Sequence, residues 1–239
     1  MAPRTYTLKL DPSLAPSPTL VALVWAEEIA PPRPTLATPT FVDEILARVK
    51  VAGEDFVPKS VRTRVRRMLR YGKYKPSGRG KPASEFLLRA ALADSFPLIN
   101  DPVDVNNAVS LESGFPGSIF DADLTGPDLL VRRGRDSESY VFNPSGQTID
   151  LIDLLLVCRD TMSGWEPCGN PVKDSMATKT SEATRAILGV LYVPPDEPIG
   201  RVEHWAGRYA ELLQSHCGAR GSGYEVVDAI ESRPTPSPE

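Results

Sequence analysis

Apolar positions near the start of the chain predict two strands that differ in burial. Between residues 6 and 10, Tyr6, Leu8 and Leu10 alternate with polar residues, which is typical of a strand with one buried face. Residues 19–25 form a continuous β-rich apolar run, which predicts a strand buried on both faces. Four prolines between residues 31 and 39 then indicate an extended connector.

Four further segments predict helices at the flanks of the chain. Residues 59–70 place Val61, Val65 and Met68 on one stripe, with arginines on the opposite face. Residues 199–215 carry Val202, Trp205 and Tyr209 on one face in the same way. Residues 41–51 have a helical spacing of apolar positions, and residues 83–93 predict a helix with Ser84 as its N-cap.

The middle of the chain predicts mostly strands. Short candidates at residues 109–111, 118–120, 128–132 and 140–142 are separated by glycine, proline and asparagine. Residues 151–159 and 185–193 are longer and nearly all apolar, which predicts central strands. From about Glu231 the chain ends in proline, serine and glutamate, which predicts a disordered tail. The sum is an α+β fold with flanking helices.

Composition narrows the class of protein. The chain has 239 residues, 41% of them hydrophobic and 24% charged, which excludes collagen, a coiled coil and a wholly disordered chain. The 24 prolines argue against an all-helical bundle. Three cysteines without C-x-x-C spacing favour a reducing compartment. Because the longest apolar run, residues 20–26, is too short to cross a bilayer, we predict a cytoplasmic protein with no membrane partner.

The net charge of −4 conceals a basic segment. Residues 59–89 contain eleven lysines and arginines and one acid, Glu85. A concentrated basic patch attracts phosphate whatever the overall charge, so this segment favours a tRNA partner. The alternative is a solvated helix face whose arginines pair with the acidic remainder. The candidate tRNA-binding residues are Arg62, Arg66, Arg67, Arg70, Lys73, Lys75, Arg79 and Lys81.

Common catalytic and metal-binding signatures are absent from the sequence, and we predict neither a metal nor a cofactor. Two polar stretches, residues 100–123 and 169–184, are instead rich in amide, hydroxyl and charged side chains. Such groups recognise a small polar ligand through hydrogen bonds. The same residue types also build turns, which is the alternative for both stretches.

The ordered residues of these stretches resemble the tRNA-editing domain of phenylalanyl-tRNA synthetase, formed by the third and fourth domains of its β-chain. The similar pieces are N…VDVNN…GFP…FD in residues 100–121, KPSGRGKPASEFLLR before them, and LLVRRG and GNPVKDS after them. The resemblance extends over about residues 61–193. It implies a three-layer β/β/α domain with an unusual β-sandwich. We expect residues 59–216 to form this domain, residues 1–58 to pack on its core, and residues 217–239 to form a flexible tail.

The resemblance also implies a pocket that hydrolyses the ester of wrongly charged tRNA. Asn107 and Pro116 match pocket residues of the family, and Asp121 and Thr178 are further candidates for substrate binding. The family has a histidine where this chain has Ser118, and a late family glutamate falls near Gly189. The candidate catalytic residues are therefore Ser118, Lys173 and Asp174.

Two hypotheses of function follow from this resemblance. In the first, the protein is a free-standing editing factor that hydrolyses a misacylated tRNA in trans. In the second, suggested by the missing histidine, it is a non-catalytic module that binds an amino acid, an acyl group or tRNA. That module would act as gatekeeper or partner of a synthetase or another acid-activating ligase. A domain with only a structural role is the third alternative.

Overall fold

The computed structural model describes residues 4–228. Its ten strands are β1 (Thr7–Leu10), β2 (Leu20–Glu27), β3 (Gly117–Asp121), β4 (Asp128–Arg133), β5 (Ser139–Val141), β6 (Thr148–Asp150), β7 (Leu155–Thr161), β8 (Gly164–Gly169), β9 (Ala186–Val193) and β10 (Gly221–Asp228). Its α-helices are α1 (Thr40–Ala52), α2 (Lys59–Leu69), α3 (Ala83–Leu92), α4 (Asp101–Ser113), α5 (Ala122–Thr125) and α6 (Ile199–Cys217).

Two four-stranded sheets and a layer of helices form the domain. The inner sheet has the order β10-β2-β9-β3 and is antiparallel throughout. Helices α4 and α6 pack on this sheet, and α1 and α3 pack against α4. The outer sheet has the order β1-β4-β7-β8 and shares one hydrophobic core with the inner sheet. The structure therefore confirms the predicted α+β class and the β/β/α layering.

The alternation of side chains along the outer sheet explains its nearly continuous apolar runs. Leu129 and Val131 of β4 point into the main core, whereas Leu130 belongs to a second, smaller cluster on the opposite face. That cluster includes Tyr140 of the two-stranded β5–β6 sheet, which lies outside the two larger sheets. Because both faces of β4 and β7 are covered, apolar residues occupy successive positions.

Helix α4 corrects the prediction of a strand at residues 109–111. It begins at the N-cap Asn100, whose Oδ1 accepts the Val103 amide at 3.2 Å, and it ends at Gly114 with a left-handed φ of 76°. The helix is enclosed by α1, α3, α6 and the inner sheet, so polar residues such as Asp104 and Ser110 are buried beside apolar ones. This burial removes the amphipathic period that identifies the other helices.

Other boundaries also differ from the predictions. Ser84 lies buried inside α3 and does not cap it; the N-cap position is Pro82. Leu151 and Leu154 belong to a buried turn before β7, so the apolar run from residue 151 is longer than the strand. Strand β8 has no counterpart among the predicted strands; it contains Pro167, which an edge strand tolerates.

The two ends of the chain contribute to the inner sheet. Strand β2 pairs with both β9 and β10, so residues 20–27 form an interior strand of the domain. Residues 221–228, which we assigned to the tail, form β10 and pair with β2 along its whole length. The remainder of the predicted tail, including the residues from Glu231 onward, lies outside the described residues. Between residues 4 and 228, no helix is both long and apolar enough to cross a membrane.

Candidate functional site

A cavity of about 290 Å³ lies where α4, β3 and the loop after β8 meet. We call it the polar cavity. Its walls combine amide, amine and carboxyl side chains with a few aliphatic ones. The lining residues are Ala83, Ile99, Asn100, Val103, Asn106, Asn107, Gly117, Ile119, Asn170, Val172, Lys173, Asp174, Lys179 and Thr180.

Helix α4 and its N-cap supply three side-chain amides to this cavity, those of Asn100, Asn106 and Asn107. Asn100, Val103 and Asn107 are spaced by three and four residues, so they share a face of the helix. The side-chain amide of Asn107 makes no hydrogen bond to any other residue between 4 and 228. Asn100 is held in place by its capping bond and by a 3.3 Å bond from Nδ2 to Thr180 Oγ1. The helix therefore presents Asn107 as an unoccupied hydrogen-bonding group.

Asn106 is oriented by a tyrosine from a different layer. The buried Tyr209 hydroxyl of α6 donates to Asn106 Oδ1 at 2.9 Å. This bond leaves Asn106 Nδ2, on a side chain only 5% exposed, without a partner in the described part of the chain. Since Asn106 lines the cavity, its amide is an unsatisfied donor at the wall.

Two glycines make room for this pair. A Cβ atom at Gly189 would lie 2.8 Å from the Tyr209 ring, and one at Gly117 would lie 2.6 Å from Asn106 Oδ1. Real Cβ atoms do not approach so closely, so any side chain at either position would displace the pair. Gly189 is the residue near which the editing-domain resemblance places a glutamate. In this structure the Tyr209 ring of α6 occupies the space that a side chain at Gly189 would need.

The loop after β8 is shaped by Asn170. Its buried side chain accepts the amides of Val172 and Lys173 at 2.8 and 3.0 Å and donates to the Tyr140 hydroxyl at 2.6 Å. The same hydroxyl donates to the Lys173 carbonyl at 2.6 Å. This closed set of bonds holds Lys173 and Asp174 at the cavity wall.

Asp174 is the one carboxyl group among the cavity-lining residues. Its Oδ2 accepts the Ile119 amide at 3.1 Å, whereas Oδ1 is buried without a hydrogen-bond partner within residues 4–228. Burial raises the pKa of Asp174 to about 7, and this outweighs the lowering by the Ser118 hydroxyl and the Ile119 amide. A carboxyl group with this pKa exchanges protons near neutral pH.

A wider cavity of about 510 Å³ adjoins the polar cavity and shares Ala83, Asn107, Val172 and Lys173 with it. We call it the basic groove, because its other lining residues include Arg79, Lys81 and Arg89 and none of its lining residues is acidic. Burial, assisted by the positive charge of Arg79, lowers the pKa of Lys173. The Lys173 ammonium lies 3.6 Å from the centre of the Phe142 ring.

The basic residues of the predicted tRNA-binding segment fall into two groups, those that form ion pairs and those that do not. On α2, Arg66 pairs with Glu85, Arg67 pairs with Asp196, and the neighbouring Arg64 pairs with Glu197. Ion pairing with acidic residues, the alternative raised for this segment, therefore applies to these arginines. Among the described residues, no ion pair involves Arg62, Arg70, Lys73, Lys75, Arg79 or Lys81.

The basic loop of residues 71–81 is anchored at both ends. The Tyr74 hydroxyl donates to the Gly80 carbonyl at 2.6 Å, and the Lys73 amide donates to Asp153 at 2.6 Å. After the loop, the Ala83 amide donates to the Pro171 carbonyl at 2.8 Å, which ties α3 to the loop after β8. Arg79 and Lys81 are thereby held beside the polar cavity.

Three of the seven predicted catalytic and substrate-binding residues converge on the polar cavity: Asn107, Lys173 and Asp174. Ser118 is fully buried behind the wall, with its hydroxyl 2.9 Å from that of Tyr192. Pro116 is buried before β3, and its carbonyl accepts the Tyr192 amide. Neither residue lines the polar cavity.

Asp121 and Thr178 also lie away from the cavity wall. Asp121 caps α5 through the Asp123 amide and accepts a hydrogen bond from Thr184. Thr178 is buried in a short 3-10 turn. The turn-building alternative describes the Asp121 side chain, whereas the Thr178 hydroxyl is buried without a hydrogen-bond partner within residues 4–228.

The candidate site residues chosen from the sequence did not include Asn106, Asn170 or Tyr209, although the first two lie in the motifs VDVNN and GNPVKDS. The first could have been found from the Asn100 and Gly114 caps, which identify α4 and place Asn106 one turn after Val103. Asn170 precedes a proline in a turn-like stretch and carried no sign of its burial. Tyr209 belongs to the apolar stripe of α6, and only packing reveals that its hydroxyl reaches the cavity wall.

The two sheets and the helical layer, with the polar cavity between α4 and β3, define an α+β domain of the β/β/α type. The sequence family described as the B3/4 domain matches residues 74–201, more than half of the chain. The protein therefore belongs to the B3/4 domain family, the family of the phenylalanyl-tRNA synthetase β-chain, which confirms the resemblance seen in the sequence.

Known relatives are phenylalanine–tRNA ligase beta subunits. The subunit of Geobacter metallireducens is 30% identical over 147 residues, which cover 61% of this chain and 18% of that one. The subunit of Bordetella pertussis is 30% identical over 129 residues, covering 52% and 15%. The chain thus spans less than a fifth of the length of these relatives. An N-terminal fragment of the phenylalanyl-tRNA synthetase beta subunit from Pyrococcus horikoshii aligns with 95% of this chain and 56% of the fragment, with a TM-score of 0.47 and 8% identity.

Proposed function

We propose that this protein binds the aminoacyl end of a misacylated tRNA and hydrolyses its ester in trans. The observation that carries the proposal is the continuity of the polar cavity with the basic groove. A small cavity lined by amides suits an aminoacyl group, and an acid-free cationic groove beside it suits the phosphates of the attached RNA. A tRNA substrate also places the proposed activity in the cytoplasm.

The contacts of the basic segment support a particular docking face. Arg66 and Arg67 are engaged with Glu85 and Asp196, so their charge is already compensated. Among the ion-pair-free residues of the loop, Arg79 and Lys81 line the basic groove beside the cavity. We therefore assign RNA binding to the loop and the groove, and not to the exposed face of α2.

The cavity wall contains the groups that ester hydrolysis requires. We assign Asp174 as the general base that takes a proton from water as its oxygen attacks the ester carbonyl. The amides of Asn106 and Asn107 are donors for the oxygen on which negative charge develops. Cleavage of the bond to the ribose oxygen releases a free amino acid and, after return of the proton, the RNA hydroxyl. Buried Ser118 takes no direct part in this reaction.

The test is deacylation of a panel of mischarged tRNAs. We expect hydrolysis of at least one of them, a loss of roughly 100-fold or more in Asp174→Asn, and little change in the exposed control Asp160→Asn. Asn107→Ala should raise KM while leaving the melting temperature near that of the wild type. Folded wild-type protein in excess that deacylates no tRNA faster than buffer would disprove the hydrolase.

A second candidate function is binding without hydrolysis, as gatekeeper or partner of a synthetase or another acid-activating ligase. It is favoured by the placement of Ser118, which stands at the position of the family histidine and is sealed beneath the cavity wall. Isothermal titration separates the two functions. Tight binding of a free amino acid, without tRNA binding at low salt and without deacylation, would support the second.

A further inference from the structure

The basic groove has an exposed aromatic side chain on its wall. Phe86 of α3 is 56% exposed, although it is a large apolar residue. Ala83, Phe86 and Arg89 are spaced by three residues, so they share the face of α3 that borders the groove. The exposed ring of Phe86 therefore lies beside the cations of the groove, where a base can stack on it.

The charged side chains that line the groove around the Phe86 ring are all positive. The groove is lined by Arg79, Lys81, Arg89 and Lys173, and none of the four forms an ion pair with any residue in the range 4–228. The nearest acid in sequence, Glu85, precedes Phe86 but is engaged by Arg66 of α2. Like charges held together without a counter-ion favour an anionic ligand.

We propose that the basic groove binds the single-stranded 3′ end of an RNA, with Phe86 stacked on a base and Arg79, Lys81 and Arg89 on the backbone phosphates. This subsite rests on the proposed function and specifies how the substrate's RNA portion is bound. A basic groove combined with an aromatic platform is the arrangement by which proteins hold single strands without reading their sequence.

The position of the groove fits this assignment. Asn107 and Lys173 line both the groove and the polar cavity, so a strand in the groove reaches the cavity with its terminal ribose. An ester on that ribose then lies beside Asn106 and Asn107. An acidic peptide would satisfy the cations but would make no specific use of the exposed ring.

The experiment measures binding of an uncharged, fluorescently labelled eight-nucleotide RNA by anisotropy at low salt. We expect Phe86→Ala to weaken binding about tenfold, since stacking on one aromatic ring contributes this much or more. Phe86→Trp should restore the affinity, and its tryptophan fluorescence should fall on binding. Met162→Trp, at an exposed turn outside the groove, is the control whose fluorescence should not change.

The salt dependence tests the cationic part of the subsite. Lys81→Ala should reduce the slope of log K against log salt by about 0.7, the value for one phosphate contact of a single strand. Lys9→Ala, on β1, should leave the slope unchanged. An acidic peptide of equal charge that competes fully with the RNA and loses no affinity in Phe86→Ala would overturn the RNA assignment.

The outcomes for the subsite and for hydrolysis are separable. Phe86-dependent RNA binding by a protein that deacylates nothing would support the subsite and refute the hydrolase. Deacylation by the wild type, with the same RNA affinity in Phe86→Ala and no fluorescence change in Phe86→Trp, would refute the subsite alone.

Discussion

Replacing Asp174 with asparagine tests the electrostatics of the cavity through protein stability. Burial raises the pKa of the Asp174 carboxyl group from 3.8 to about 7. Because a difference of one in pKa corresponds to about 1.4 kcal/mol, ionised Asp174 destabilises the folded protein by about 4 kcal/mol. Asparagine has nearly the same shape, still accepts the Ile119 amide and carries no charge.

The sign of the pH dependence follows from where the proton resides. Between about pH 4 and pH 7 the folded protein keeps a proton that the unfolded chain has released. The contribution of Asp174 to stability therefore falls as the pH rises through this window and is constant above it. We expect the advantage of Asp174→Asn over the wild type to grow by about 2.5 kcal/mol between pH 5 and pH 8.

The measurement is urea unfolding of both proteins at the two pH values, supported by melting temperatures. In a domain of this size the expected growth corresponds to roughly 5–10 °C in the difference between the melting temperatures. All other groups titrate alike in the two proteins, so the change in the difference isolates Asp174. A difference that stays the same at pH 5 and pH 8 would refute the raised pKa and remove the support for Asp174 as a base.

Three further predictions concern packing and charge. Tyr209→Phe leaves the buried Asn106 oxygen without its donor and should cost about 1–3 kcal/mol in urea unfolding; an unchanged stability would contradict this. Gly169→Ala places a Cβ atom 2.5 Å from the Phe120 ring and should cost about 1–3 kcal/mol, measured in the same way. Arg67→Ala, in an exposed ion pair, should change RNA affinity less than Lys81→Ala does in titrations at low salt; an equal loss would argue against docking at the groove.

Helices that bury one face and strands that are buried on both faces were predictable, because each leaves a recognisable pattern of apolar residues in the sequence. The stripe of α2 is an example: Val61, Val65 and Met68 are all buried as expected. Strand β9, at residues 186–193, is buried along its whole length and forms the centre of the inner sheet with β2. The local sequence pattern was misleading in two places. Helix α4 is enclosed by other elements although it carries polar residues, and the apolar run before β7 continues through a turn.

The candidate site was predictable only in part. Asn107, Lys173 and Asp174 were recognised from polar stretches and family resemblance, and they line one cavity. Ser118 was equally prominent in the sequence, yet β3 turns its side chain into the interior toward Tyr192. Successive residues of a strand face opposite sides, so a shift of one position separates a wall residue such as Ile119 from a buried one.

The sequence by itself determined the family, the α+β class, the main buried strands and the presence of a basic segment, because these depend on local pattern and on ordered motifs. Tertiary structure decided which charges remain without a partner and which polar groups face a common space. The acids that compensate Arg66 and Arg67 come from α3 and from the turn before α6, and the hydroxyl that orients Asn106 comes from α6. Such partners are far apart in the chain, and only packing brings them within hydrogen-bonding distance.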